Sequence, residues 1–177
     1  MLIQAYQTSW VEDFSKIKTV IEHALQPLII SIEHVGSTAV PNLAAKPIID
    51  IDIIYDENTA FEDIKTRLEK IGYFHNGNQG ILNREVFKRS KMLVFQDVLD
   101  RIVHHLYVCP MGSEALQRHI LLRDYLIAHD AARLHYQNMK YAIAAEVNQD
   151  KKKYAELKEV TSKDFIDSII EKTKKWV

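Results

Sequence analysis

The sequence predicts a mixed α/β fold, with a small sheet and flanking helices followed by a C-terminal helical bundle. Three observations support this prediction. Helical and strand periodicities alternate over the first 110 residues, residues 48–54 are aliphatic except for two acids, and helical periodicity dominates after residue 111. We therefore expect one domain over residues 1–177, with an α/β core at 1–110 and a helical portion at 111–177.

Helices are predicted where apolar residues recur every three or four positions. The first begins at a capping box formed by Ser9 and Glu12 and ends before Pro27. The second is capped by Asn58 and terminated by Gly72. The helices predicted for the second half of the chain begin near positions 113, 130, 154 and 161.

Strands are predicted from alternating or β-branched apolar runs. Residues 28–35 alternate in polarity up to Gly36, and a short helix or turn broken by Pro41 follows. Residues 48–54 are rich in isoleucine and predict a buried strand. Three further strands are predicted at 85–89, 92–98 and 102–108.

The composition is that of an ordinary globular protein, with 47% apolar residues, 27% charged residues and a formal net charge of −1. This charge gives no general attraction to nucleic acid or to an anionic membrane, so any basic site must be local. The single cysteine, Cys109, excludes an internal disulfide and suits a reducing compartment. Because no secretory signal or membrane-length apolar run is visible, we expect a cytoplasmic protein.

Asp50 and Asp52 are the first candidates for chemistry. The two-residue period of a strand places both carboxylates on one face, about 7 Å apart, while isoleucines occupy the other face. Two carboxylates in such a strand are costly unless they are paired or coordinated, and Mg²⁺ would offset that cost. The alternative is ion pairing with Lys46, Arg84 or Arg101 and no metal.

A glycine and two hydroxyl residues, Gly36, Ser37 and Thr38, follow the strand that precedes the acidic one. Glycine lets the backbone approach a ligand closely, and the exposed amides and hydroxyls form an anion cradle. A short crossing helix between Ser37 and Asp50 would bring the cradle and the acids to one edge of the sheet. Lys46, directly before the acidic strand, is expected to reach a phosphate.

Three further residues are candidates for the same site. Arg101 is expected to enter the strand that carries two histidines and to contact substrate. Arg123 is expected on a polar helix stripe that contacts substrate, the alternative being that the stripe joins the helix to the sheet by ion pairs. His105 and Tyr107 share one face of the histidine strand and His104 occupies the other. If the first pair faces the acids, His105 is a metal ligand; with the other register, His104 takes its place.

Several segments together resemble one known family. They are residues 33–41 (EHVGSTAVP), 43–51 (LAAKPIIDI), 104–108 (HHLYV), 118–119 (RH) and 123–126 (RDYL). These segments resemble the GrpB family of the nucleotidyltransferase superfamily, which also occurs as the C-terminal domain of some dephospho-CoA kinases. The resemblance covers most of the chain. It implies a nucleotidyltransferase-like mixed sheet with a C-terminal helical portion.

The resemblance also implies roles for the candidate residues. In that superfamily the paired acids hold Mg²⁺ and the glycine-serine turn binds nucleotide phosphates, which assigns Asp50, Asp52, Gly36 and Ser37. A third acid lies on a later strand of the superfamily site. The predicted strand 102–108 has none, and Tyr107 stands where the family often has histidine.

Two functions therefore follow as expectations. The first is a Mg²⁺-dependent transfer of a nucleotidyl group from a nucleoside triphosphate to an unknown acceptor. The second is catalytically silent binding of a nucleotide or a CoA-type phosphate compound. A weaker third expectation is a protein-interaction role through the helical half, which can also supply a homodimer surface.

Overall fold

The computed structural model describes residues 2–90, 92 and 94–174. The helices are Ser9–Leu25 (α1), Phe61–Lys70 (α2), Asp97–Arg101 (α3), Glu114–Ala128 (α4), Asp130–Glu146 (α5) and Lys151–Lys174 (α6). The strands are Ile30–Val35 (β1), Ile49–Tyr55 (β2), Tyr73–His75 (β3), Glu85–Arg89 (β4) and His104–Pro110 (β5). A single 3₁₀ turn, Ser37–Ala39, follows β1.

The strands form one mixed sheet in the order β1-β2-β5-β4-β3. β2 is antiparallel to β1 and parallel to β5, whereas β4 is antiparallel to both β5 and β3. The register places Asp50 opposite His105, and Asp52 opposite Tyr107 and Glu33. Because paired residues point to the same side of a sheet, these polar side chains share one face.

The other face of the sheet carries the main hydrophobic core. Ile49, Ile51 and Ile53 of β2 are buried there against apolar residues of α1, α2 and α3. The helix α1 supplies a stripe at helical spacing that includes Ile17 and Ile21, both fully buried. The alternation of isoleucine and aspartate in β2 therefore separates the core from the polar face.

The C-terminal helices cover the polar face. Leu116 of α4 packs on Ile54 and Cys109 of the sheet. The helices α4, α5 and α6 contact one another, and Tyr136 of α5 and Ile169 of α6 join the small cluster of apolar residues around Leu43. The polar face therefore lies between the sheet and a helical layer.

The structure confirms most predicted elements and corrects several others. A strand was predicted at 92–98. This prediction is wrong for residues 92 and 94–98, none of which is in a strand, and residue 93 lies outside the described residues. There the Gln96 side chain accepts hydrogen bonds from the amides of Val98 and Leu99 and begins α3. The strand β3, Tyr73–His75, was not predicted, since three residues are too few for a periodic signal.

The capping signals have mixed outcomes. The helix predicted to begin near residue 113 is confirmed, and the Ser113 hydroxyl caps it by accepting a hydrogen bond from the Leu116 amide. The capping box predicted at Ser9 is wrong: Ser9 is the first residue of α1, and the N-cap residue of that helix is Thr8, whose side chain makes no capping hydrogen bond. The two helices predicted near 154 and 161 form one continuous helix, α6. Among the described residues, no helix has both the length and the apolar character that a membrane crossing needs.

Candidate functional site

A cavity of about 660 Å³ lies between the polar face of the sheet and the C-terminal helices. Its walls come from the turn after β1, from β2 and β5, and from α4, α5 and α6. Of the predicted site residues, Gly36, Ser37, Asp50 and His105 all line it. Residues far apart in sequence thus converge on one hollow.

Gly36 joins the phosphate turn to the acidic strand. Its backbone has a φ of 72°, in the left-handed region where glycine is favoured. A Cβ at this position would overlap Asp50 Oδ2 and would lie 3.0 Å from Asp50 Cγ. Only glycine therefore permits the turn and the carboxylate to approach this closely.

The two acids are paired with imidazoles. His105 Nδ1 lies 2.9 Å from Asp50 Oδ1, and His119 Nδ1 lies 2.8 Å from Asp52 Oδ2. Because an ionised carboxylate only accepts hydrogen bonds, each Nδ1 carries a proton in these pairs. The predicted alternative of ion pairs to Lys46, Arg84 or Arg101 is therefore wrong.

The two carboxylates differ in exposure. The Asp50 side chain is 29% exposed and lines the cavity, whereas Asp52 is fully buried. Asp52 Oδ1 has no hydrogen-bond partner among the described residues, although its burial makes that costly. Asp52 is thus a buried carboxylate with one vacant acceptor oxygen.

His119 was not predicted as a partner of the acids. It reaches Asp52 from α4, 67 residues along the chain. Arg118 and His119 belong to one of the segments that resemble the family, but helical periodicity does not say which strand residue a given helix position meets. Arg118 itself is bound to Asp167 of α6, with Nη2 and Oδ1 2.5 Å apart.

Lys140 is the second residue that the sequence reasoning missed. It is 1% exposed, and its amine donates to Ser37 Oγ at 3.1 Å and to the Ala44 carbonyl. Burial, together with the nearby charge of Lys158, lowers its pKa to about 6. A signal was present, because Lys140 shares the buried stripe of α5 with Tyr136 and Ile143.

Lys46 and Thr38 lie at the cavity with their polar atoms partly engaged. The Lys46 amine donates to the Lys151 carbonyl at 3.3 Å and lies 4.2 Å from the centroid of the Tyr154 ring. Burial is the main cause that lowers the pKa of Lys46, and Lys158 and Lys151 add to it. Lys46 therefore faces the cavity without a carboxylate partner among the described residues.

The Thr38 hydroxyl is used inside the protein. It donates to the Ile48 carbonyl at 3.2 Å and lies 3.0 Å from His34 Nε2. Because a hydroxyl has one hydrogen, His34 must donate through Nε2. Burial lowers the pKa of His34 to about 4, which keeps the ring neutral. These two hydrogen bonds connect the turn after β1 to Ile48 and His34.

The predicted arginines have different outcomes. Arg123 lines the cavity, but its Nη1 donates to Glu33 Oε2 at 2.6 Å and to the His34 carbonyl at 2.9 Å. Arg101 is not among the cavity residues: it ends α3, is 78% exposed and pairs with Asp97. The prediction that it enters the histidine strand is wrong, since β5 begins only at His104.

The metal predicted for this site has two suitable donors. Asp50 and the vacant Oδ1 of Asp52 are hard oxygen ligands of the kind that Mg²⁺ takes, and this fits the predicted ion. Across the described ranges, no group of three or more His, Cys, Asp or Glu side chains is placed to share one ion. The strand β5 offers His105 and Tyr107 opposite the acids, and no third carboxylate.

Sequence comparisons identify relatives of the chain. A family model described as GrpB protein matches residues 1–172, which confirms the resemblance. The chain is 32% identical over 171 residues to the UPF0157 protein YqkA of Bacillus subtilis, covering 97% of this chain and 46% of that protein. It is 28% identical over 172 residues to the glutamate-rich protein GrpB of Alkalihalophilus pseudofirmus, covering 96% and 94%. The chain thus spans about half the length of YqkA.

Structural comparisons give the same fold. A crystal structure of conserved protein GrpB from Enterococcus faecalis matches with a TM-score of 0.78 and 28% identity, covering 99% of both chains. The Cid1 poly(U) polymerase bound to MgGTP matches with a TM-score of 0.57 and 11% identity, covering 81% of this chain and 44% of that one. The second likeness concerns the fold alone. It confirms the nucleotidyltransferase-like mixed sheet predicted from the sequence.

Proposed function

The chain belongs to the GrpB family, and from this premise we propose that its cavity binds Mg²⁺ and the phosphates of a nucleotide and transfers a nucleotidyl group to an acceptor. One observation carries the proposal. The Gly36 backbone lies directly against Asp50, which fixes an anion-binding turn to an acidic strand inside one cavity. A phosphate at the turn would be next to the carboxylates.

The charge of the cavity supports a polyanionic ligand. Four basic side chains on its walls make no ion pair with a carboxylate in the part of the chain that the structure describes. They are Lys46, Arg84, Lys140 and Lys158. Basic side chains that converge without ion-paired carboxylates favour a ligand with several negative charges, because such a ligand compensates the positive charge they carry.

The ligand would be held by groups from opposite walls. The Ser37 turn offers backbone amides, and Lys140 offers an amine from α5 that already contacts the Ser37 hydroxyl. Tyr136, Tyr154 and the aliphatic Leu122 add apolar surface for the rest of the ligand. These side chains would orient a bound nucleotide and exclude water from its phosphates.

Asp50 and Asp52 are the residues that would hold Mg²⁺. When bound, the ion supplies charge neutralisation of the triphosphate, and with it the displacement of pyrophosphate by an acceptor hydroxyl becomes feasible. The residues of the chain provide the positions: Gly36 brings the turn against Asp50, and His119 orients Asp52.

A second candidate is binding without transfer, and the position of Tyr107 favours it. This side chain lies opposite Asp52 on β5, where the superfamily site would need a third acid. Burial raises the pKa of the Tyr107 phenol above its ordinary value, so the group stays uncharged. A neutral phenol does not replace a carboxylate as a ligand for Mg²⁺.

Nucleotide binding and pyrophosphate release separate the two candidates. Thermal shift with the four nucleoside triphosphates, with and without Mg²⁺, should show stabilisation that the Asp50→Asn, Asp52→Asn double variant loses. The matched control is Asp97→Asn, an exposed acid on α3 that should keep the shift. Pyrophosphate release that depends on both aspartates supports transfer, and binding without release supports the second candidate. Turnover unchanged in the double variant would remove the proposed role of the acids.

A further inference from the structure

Lys140 is a buried amine whose hydrogen-bond partners are both uncharged. Its side chain is 1% exposed, and its nitrogen donates to Ser37 Oγ and to the Ala44 carbonyl. The centroid of the Tyr136 ring lies 4.8 Å from the same nitrogen. No carboxylate of the described residues forms an ion pair with it. Because an unpaired buried ammonium is costly, this environment favours the neutral amine.

The hydrogen-bond count agrees with a neutral amine. A neutral lysine amine has two N–H donors, and the Ser37 hydroxyl and the Ala44 carbonyl account for both. Protonation adds a third donor and a positive charge. Lys140 and Ser37 both line the cavity, so a phosphoryl oxygen bound at the Ser37 turn would supply the missing acceptor and the compensating negative charge.

Resting on the proposed phosphate site, we propose that Lys140 is uncharged in the free protein and takes up one proton from solvent when a phosphoryl group binds beside Ser37. No covalent bond forms or breaks, and the proton goes to the Lys140 nitrogen. Lys140 thereby restricts the site to ligands that bring enough negative charge to hold that proton.

The uptake has a defined pH dependence. In the free protein, burial and the charge of Lys158 lower the pKa of Lys140 to about 6. Above that pH the free protein must gain the proton in order to bind, so affinity falls by up to about tenfold per pH unit. The fall ends where the pH exceeds the higher pKa that Lys140 has in the complex. Below about pH 6 the amine is already charged and its contribution to the pH dependence disappears.

Other titratable groups line the same cavity as Lys140, and their effects have to be separated from those of Lys140. Tyr136 comes from the same helix, Tyr154 and Lys158 from α6, Lys46 from the segment before β2, and Asp50 from β2. Burial raises the pKa of Tyr154 to about 12, so that phenol does not titrate near neutrality. A comparison of variants at position 140 cancels the contributions of the remaining groups.

Isothermal titration calorimetry with inorganic tripolyphosphate tests the proposal in the whole chain. At about pH 7.5, titrations in two buffers of different ionisation enthalpy give the number of protons taken up. The wild type should take up as much as one proton more than Lys140→Arg, whose guanidinium stays charged at every pH used. Lys140→Met should bind at least tenfold more weakly. Lys153→Met, an exposed lysine of α6 outside the cavity, should match the wild type.

The outcomes distinguish this proposal from the proposed function. If Lys140→Arg folds, binds tripolyphosphate and shows the same proton uptake and pH dependence as the wild type, the role of Lys140 is overturned while the phosphate site stands. If the folded wild type does not bind tripolyphosphate, both are overturned. Affinity that decreases with pH in the wild type, but not in Lys140→Arg, supports the proposal.

Discussion

Replacing Gly36 by alanine tests the contact on which the proposed site depends. The residue has a φ of 72° and a ψ of −169°, a backbone region populated essentially only by glycine, where another residue costs about 1–3 kcal/mol. The added Cβ would also overlap Asp50 Oδ2 and lie 3.0 Å from both Asp50 Cβ and Cγ. Relief of such an overlap in a packed site costs about 1–3 kcal/mol. We expect Gly36→Ala to lose about 2–6 kcal/mol of unfolding free energy in total.

Gly112→Ala separates the two contributions. Gly112 also has a positive φ, 81°, and a Cβ there would meet no atom within 4 Å, so this variant measures the cost of alanine at a positive φ without a clash. Urea denaturation of both variants, repeated in an Asp50→Ala background, isolates the clash. Removal of the Asp50 carboxylate should recover most of the excess loss in Gly36→Ala, although Asp50 Cβ remains close. A Gly36→Ala variant no less stable than Gly112→Ala would refute the close approach of turn and acid.

Three further predictions concern stability. The pKa of His34 is lowered to about 4, so the folded protein binds fewer protons than the unfolded chain between about pH 4 and 6.5. Denaturation measurements should show the free energy of unfolding decreasing by up to about 3 kcal/mol as the pH is lowered from about 6.5 to 4, and His34→Gln should remove this decrease. The pKa of Lys140 is lowered from 10.5 to about 6, so between these values the unfolded chain binds the proton and the folded protein does not. The contribution of Lys140 to the free energy of unfolding should therefore rise by about 1.4 kcal/mol per pH unit between about pH 7 and 9. Lys140→Met should lose this slope. Thermal or urea denaturation should show that Arg123→Met lowers the free energy of unfolding by about 2 kcal/mol, because the His34 carbonyl and Glu33 lose their hydrogen-bond donor. The control Arg101→Met, at an exposed position, should change it by less than about 0.5 kcal/mol.

The sequence predicted those parts of the fold that have a strong periodic signal. The helix α1 and the strand β2 were predicted because their burial follows the local pattern of apolar residues. The strand Tyr73–His75 and the helix Asp97–Arg101 were not predicted, because three residues of strand and five of helix are too few to show a period. In residues 94–98 the β-branched and aromatic side chains suggested a strand. The Gln96 side chain instead accepts two capping hydrogen bonds, and these stabilise a short helix in spite of the strand propensity of the segment.

The residues of the candidate site likewise divide into those that the sequence predicted and those that it did not. Gly36, Ser37, Asp50 and Asp52 were found because they lie on two neighbouring segments whose spacing limits how they can fold together. A strand gives the face of each residue without reference to the rest of the protein, so the shared face of the acids could also be predicted.

The residues that complete the site come from the helical layer, and their positions depend on how whole helices dock. Lys140 lies 103 residues from Ser37, and His119 lies 67 residues from Asp52. The apolar stripes of α4 and α5 determine which side of each helix is buried, but not which strand residue a given position meets. An ionisable residue on an otherwise apolar stripe is nevertheless visible in sequence. Burial of an ionisable side chain is costly unless a partner compensates its charge or a pKa shift neutralises it. Such a residue therefore indicates where the helix meets a functional cavity.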